Sequence, residues 1–207
     1  VGLQQLGAAA VPALERTVAE HAADRQRARA LWQLALITEH PKKYVAIALR
    51  HSNPDLRITG VRMARQHGLD MLDIIEQLKN DNSPQVRREL LIALRHNRDP
   101  RAVDLWVDLA LLHDGVDRWY LEALGIAADK QWERFFDAWL ARVGDQWDTP
   151  AGHDIIWRSR APKACEYLVR LIKNASTEEE QYRYFRAFDF HADAAKLDAL
   201  QGLLSRR

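Results

Sequence analysis

Two series of apolar residues, each stepping by thirty, decide what this chain can fold into. Leu31, Val61, Leu91 and Leu121 form one, and Leu34, Ala64, Leu94 and Leu124 form the other, three positions further on. A three-residue offset is close to one helical turn, so each pair marks the apolar face of one helix. Ahead of each pair lies another helix-sized apolar pattern, so the repeated unit is a hairpin of two helices. A period of this size predicts an all-α fold, an α-solenoid in which each hairpin buries its apolar face only against its neighbours. Alternation at period two is absent over any useful length, so no β-sheet is expected.

Capping chemistry places the helix ends. Pro12, which has no N–H to donate, is tolerated in the first turn of a helix within Ala8 to His21, where Val11, Leu14 and Val18 recur at helical spacing. From Asp24 to Ile37, Ala28, Leu31, Leu34 and Ala35 share a face. Asn53-Pro54, Ser83-Pro84 and Asp99-Pro100 each put a capping side chain before a proline, which marks a helix start. Pro41 to His51 and Leu69 to Asn80 supply further helices. The stretch from Asp114 to Trp139 keeps the thirty-residue phase, which then slips. Gly144 to Gly152 is the longest polar break, and Ile155, Ile156 and Trp157 fall off the step. Lys163 to Lys173, Thr177 to Phe190 and Ala192 to Leu204 read as helices, with Thr177 and Glu180 as a capping box. Residues 1–143 are therefore expected to be regular repeats, and 144–207 a less regular extension or cap of the same solenoid.

Charge and composition bound the partners. Lys and Arg number 30 against 29 Asp and Glu, a net charge of +1. No overall field then favours nucleic acid, which is not expected as a partner. No apolar run approaches the ~18 residues of a membrane span, so no membrane insertion is expected. The opening VGLQQLGAAAVPALE lacks the basic region and apolar core of a signal peptide and begins as though cut from a longer chain. Cys165 is the only cysteine, which excludes an intramolecular disulfide and a four-thiolate zinc site.

Catalytic signatures are missing. There is no HExxH, no GxSxG and no glycine-rich phosphate loop after a strand. His21, His51, His67, His96 and His113 fall near helix ends, where an imidazole is expected to meet the last carbonyls and the negative end of the dipole. Trp106, Trp119, Trp132, Trp139, Trp147 and Trp157 crowd the middle of the chain and are expected to pack between hairpins. No catalytic, cofactor-binding or metal-ligating residue is therefore assigned. What remains is a surface. With Leu91 and Leu94 inward, a turn of roughly 100° per residue sends Arg88 and Ile92 outward, and thirty-residue steps add Arg62, Arg118, Trp32 and Glu122. These six are the candidate interaction surface, on the concave side made by the second helices.

The period, the paired helices and the starts NPDLR and SPQVRRELLIAL resemble HEAT repeats over at least residues 8 to 128. In that family an arginine near the start of the second helix pairs with an aspartate six residues earlier. Arg27, Arg57 and Arg87 hold that phase, with Asp81 before Arg87 but His51 before Arg57, so an incomplete ladder is expected. RARALWQLALI, SPQVRRELLIALRHN and DGVDRWYLEALGIAADKQW are similar to the HEAT-repeat segment of large bacterial proteins in which a dehydrogenase-like β-propeller precedes the repeats and a c-type cytochrome domain follows them. The resemblance implies a non-catalytic connecting or docking module from an exported, extracytoplasmic redox protein, binding a protein partner or its own flanking domains. Haem attachment of the c type needs Cys-x-x-Cys-His, so no cofactor is expected in this segment. The rival reading is a HEAT-like DNA glycosylase, which uses exposed tryptophans and one carboxylate in a basic cleft. Trp119 with Glu122 is the nearest approach to that pair, and the near-neutral charge argues against it. A bilin-lyase-like chromophore holder has no sequence feature of its own here.

Overall fold

The structure is a computed structural model that describes residues 7–204, and the first six residues of the expected 1–143 segment and the last three of 144–207 lie outside the described residues. The described residues form thirteen α-helices and no strand: α1 (Val11–Glu20), α2 (Asp24–Ile37), α3 (Pro41–Leu49), α4 (Pro54–Gln66), α5 (Met71–Leu78), α6 (Pro84–Leu94), α7 (Arg101–Ala110), α8 (Arg118–Ala127), α9 (Trp132–Val143), α10 (Pro150–Arg158), α11 (Ala164–Asn174), α12 (Glu178–Ala187) and α13 (Asp193–Leu204). Short 3₁₀ turns cover Gly7–Ala10, Gly144–Trp147 and Phe188–Phe190. No described helix is long and apolar enough to cross a membrane.

The two thirty-residue series are buried throughout, from Leu31 to Leu121 and from Leu34 to Leu124, each residue 2% exposed or less. Side-chain oxygens of Asn53, Asp70, Asp117, Thr149 and Thr177 accept backbone N–H groups in the first turns of α4, α5, α8, α10 and α12. These side chains satisfy donors that the helix itself leaves open. The capping box differs in one detail: Glu180 reaches back to the N–H of Ser176, one residue before the Thr177 cap.

Two compact units result, one up to Ala93 and one from Leu94 onward. In the first, α2, α3 and α4 pack through Leu31, Leu34, Tyr44, Val45, Leu56 and Val61. Gly60 lets α4 lie directly on α3, since a Cβ there would fall 2.8 Å from the Leu49 side chain and 3.0 Å from Ala48 Cβ. One arginine of the expected series reaches an aspartate further along the chain. Arg57 grips Asp81 with both arms, Nε to Oδ2 at 2.6 Å and Nη2 to Oδ1 at 2.8 Å, while its Nη1 donates to the carbonyls of His51 and Ser52. At position 51 it is therefore the backbone oxygen, not the side chain, that receives Arg57. Burial pushes the Asp81 carboxyl up, and the bonds from Arg57 and the Ser83 N–H more than reverse that, holding it below its ordinary value.

The second unit is built on rings. Trp106 is fully buried, with its centroid 6.0 Å from Trp132 and 5.3 Å from Phe135, and its Nε1–H donates to the Leu124 carbonyl. The stretch from Gly144 to Gly152, where the less regular extension or cap was expected to begin, lies inside this unit. Aromatic packing joins it to what precedes: Tyr167 meets Trp147, in the middle of the break, edge-on at 5.2 Å and Phe136 on α9 at 6.0 Å.

Candidate functional site

The six residues of the expected surface fall in both units, four in the first and two in the second. In the first, Arg62 is exposed, its Nη2 2.7 Å from Oε2 of the buried Glu89 on α6, while Trp32, Arg88 and Ile92 are half-buried. In the second, Arg118 and Glu122 meet one turn apart on α8, with Arg118 Nε donating to Glu122 Oε1 at 2.8 Å. Arg158, at the end of α10, takes the other oxygen at 3.0 Å. Partial burial pushes Glu122 up, but the two arginines outweigh it and hold the carboxyl below its ordinary value. That is far from the near-neutral value at which a general base works, so Glu122 is committed as a bridge between cations. Trp119 is 71% exposed and stands beside it in sequence.

Past Glu122 the second unit opens into a groove of about 920 Å³. Local structure explains each wall. The C-terminal half of α8 gives Gly125 and Ile126, and the turn leading to α9 gives Asp129, Lys130 and Gln131. Lys130 turns the chain in the left-handed region, at φ 59°. Facing it is the turn after α10. Ser159 is fully buried and extended, its N–H donating to Ile155 and Ile156 and its hydroxyl accepting from the Ala161 N–H. Extended backbone sends alternate side chains to the same side, so Arg158 and Arg160 both line the groove. Gly125 leaves room for the first of them: a Cβ there would sit 2.3 Å from the Arg158 guanidinium carbon.

Five cations line this groove, Arg95, Lys130, Arg134, Arg158 and Arg160, against the carboxylates Asp129 and Glu133. Asp129 is taken by Arg95 and by His96, each at 2.9 Å, and Arg158 by Glu122. Arg134 spends its donors on the carbonyls of Arg98 and Asp99 and on Gln131. Arg160 donates Nη1 to the carbonyls of Trp157 and Ser159 and lies over the Phe190 ring at 4.4 Å. Burial, then the charge of Arg158, lowers its pKa to about 10. Among the described residues no carboxylate pairs with Lys130, Arg134 or Arg160. Sequence reasoning missed this set because it followed the thirty-residue phase, which is lost before Arg158. The usable signals were the Arg-Ser-Arg alternation before Ala161-Pro162 and a glycine inside an otherwise good helix.

A second polar cluster was also missed. His113 is wholly buried, its Nε2 3.0 Å from Asp154 Oδ2, and Arg183 bonds the other oxygen of Asp154. His113 stacks on Tyr120 with ring centroids 5.8 Å apart. Through these bonds Asp154 on α10 ties the turn after α7 to α12. His21 and His51 also differ from expectation, each accepting a backbone N–H from two residues ahead through Nδ1, at 3.0 Å. Burial pushes the Cys165 thiol up, which keeps it unreactive. Among the described residues no three His, Cys, Asp or Glu side chains are grouped to hold a metal ion. No protein-family profile matches the chain, and no curated protein or solved structure is significantly similar to it.

Proposed function

We propose that this chain is a non-catalytic interaction module, a HEAT-like α-solenoid of helical hairpins that holds a protein partner or the flanking domains of a longer chain. The observation that carries it is the groove of the second unit. It gathers five cations, of which Arg134 and Arg160 are held by backbone carbonyls and a ring and not by a carboxylate, an arrangement suited to holding an anionic surface. The thirty-residue burial register supports the repeat architecture, and such repeats bind extended partners through the surface their second helices make. Resemblance to repeats set between a propeller and a cytochrome domain makes such neighbours the natural partners.

Selection from a random peptide display library on the immobilised, folded chain tests this. Enrichment of peptides that then bind the purified chain with Kd of about 10 μM or tighter, and ignore the heat-unfolded chain, is the expected result. Enrichment no better than on the unfolded control removes the reading.

A further inference from the structure

We infer that the groove of the second unit receives an acidic peptide segment, whose carboxylates pair with Arg160 and Lys130 while an apolar side chain beside them covers Ile126. The inference rests on the interaction-module reading and adds the chemistry of the partner.

Three observations converge on it. The first is local charge. From Leu94 onward the sequence holds 17 Lys and Arg against 19 Asp and Glu, yet the groove gathers five cations against two carboxylates. A net-acidic unit that concentrates cations in one groove selects for negative charge at that place. The second is preorganisation. The Arg160 guanidinium is fixed by two carbonyls through Nη1 and by Phe190 beneath it, so Nε and Nη2 have no acceptor among the described residues. A planar fork with two open donors matches a carboxylate, and fixing it beforehand removes much of the ordering cost of binding. Arg160 is half-buried beside Arg158, so an arriving anion also relieves a repulsion that the free protein carries. The third is the floor. Gly125 carries no side chain and Ile126 is 37% exposed, which leaves apolar contact area next to the charges.

The same features disfavour nucleic acid. Phosphates recur along every nucleotide, so an oligonucleotide laid in the groove meets Asp129 and Glu133 as well as the arginines. Affinity built on phosphate contacts needs a continuous basic track. An acidic peptide can place carboxylates where the cations are and neutral residues elsewhere.

The test is fluorescence anisotropy with three probes of equal length: a peptide alternating Glu and Leu, its Gln-Leu counterpart, and oligo-dT. The Glu peptide is expected to bind at least about tenfold more tightly than the Gln peptide and to weaken as salt rises. Oligo-dT is expected to bind no better than the Gln peptide. Lys130→Glu with Arg160→Gln should weaken the Glu peptide about tenfold or more. Lys130→Glu alone, at an exposed position with no partner to lose, should weaken it about threefold and guards against a disturbed Ser159 turn, with circular dichroism confirming the helices. Equal binding of the Gln peptide, tighter binding of oligo-dT, or indifference to both variants overturns the inference. If library peptides of other composition bind while the Glu peptide does not, the interaction module stands and this partner falls. If no peptide binds, both fall.

Discussion

The two units differ in what holds particular half-buried arginines. In the first, cations near the core meet carboxylates: Arg57 closes on Asp81, and Arg62 on the buried Glu89. In the second, Arg158 and Arg183 also meet carboxylates, but in the groove Arg134 and Arg160 meet carbonyls and rings, and Lys130 meets nothing described. All five phenylalanines and six of the seven tryptophans also belong to the second unit. The difference teaches where fold and function separate. A charge neutralised inside the chain serves stability, whereas a charge fixed in place without a counterion remains available to something outside.

The largest expected effect lies in the first unit. Arg57→Ala leaves Asp81, whose side chain is 6% exposed, without the cation that grips it through both oxygens, with only the Ser83 N–H and the nearby charge of Arg87 to hold it. Breaking a buried pair from one side costs about 3–5 kcal/mol. Arg160→Gln in the second unit removes no ion pair and relieves the repulsion with Arg158, so a change within about 1 kcal/mol is expected. Urea denaturation of both variants decides the matter. Equal losses would break the distinction between the units.

How much of this was readable in the sequence depends on periodicity. Leu31 to Leu124 could be placed because burial follows the thirty-residue step, and capping residues such as Asn53 and Asp117 act on their own backbone within three residues. Arg57 was found by phase, although its partner proved to be the aspartate of the next hairpin start. His113 and Asp154 could not be paired, since they are far apart in sequence and only the loss of phase lies between them. Arg158 and Arg160 are placed by a turn whose geometry depends on the burial of Ser159, and no spacing rule reports that.

Acid should expose the second unit next. His191 is 7% exposed, with Nε2 unpartnered; burial, then the nearby charge of Arg160, lowers its pKa to about 4. An unfolded histidine titrates near 6.5. Between those values the unfolded chain binds the proton and the folded one does not, so stability falls as pH drops from about 6.5 to 4. The loss approaches about 3 kcal/mol. Asp154 acts in the same direction at lower pH. Burial pushes it up, but the bonds from His113 and Arg183 outweigh that and depress it, so its contribution fades as pH falls through the carboxylate range. His191→Phe should flatten the upper part of the curve, read as denaturation midpoint against pH. A variant that keeps the wild-type slope assigns the acid sensitivity elsewhere.

Gly125→Ala sharpens the account of the groove. The added Cβ would displace the end of the Arg158 side chain and with it the bond to Glu122. Partly exposed pairs of this kind contribute about 0.2–1 kcal/mol, and alanine in a helix gains about 1 kcal/mol over glycine. Stability should therefore move by less than about 1 kcal/mol while affinity for the acidic peptide changes severalfold. A stability loss of several kcal/mol would mean that Gly125 is needed for packing and not for the position of Arg158.

The smallest effect separates strain from charge at one residue. After α4 the chain turns left-handed at Gly68, φ 65°, where glycine meets no penalty, whereas after α8 it turns at Lys130, φ 59°. A side chain in that region costs about 1 kcal/mol or more, and residues held there against preference gather at functional sites. Lys130→Gly should then raise stability by about 0.5–1 kcal/mol while weakening the acidic peptide. Lys130→Asn keeps a residue that tolerates the left-handed region and removes only the charge. It should weaken the peptide to the same extent as glycine while stabilising less. Equal peptide binding by wild type and both variants would mean that Lys130 is a strained turn residue with no part in recognition. A glycine variant that binds more weakly without gaining stability would place its whole significance in the charge.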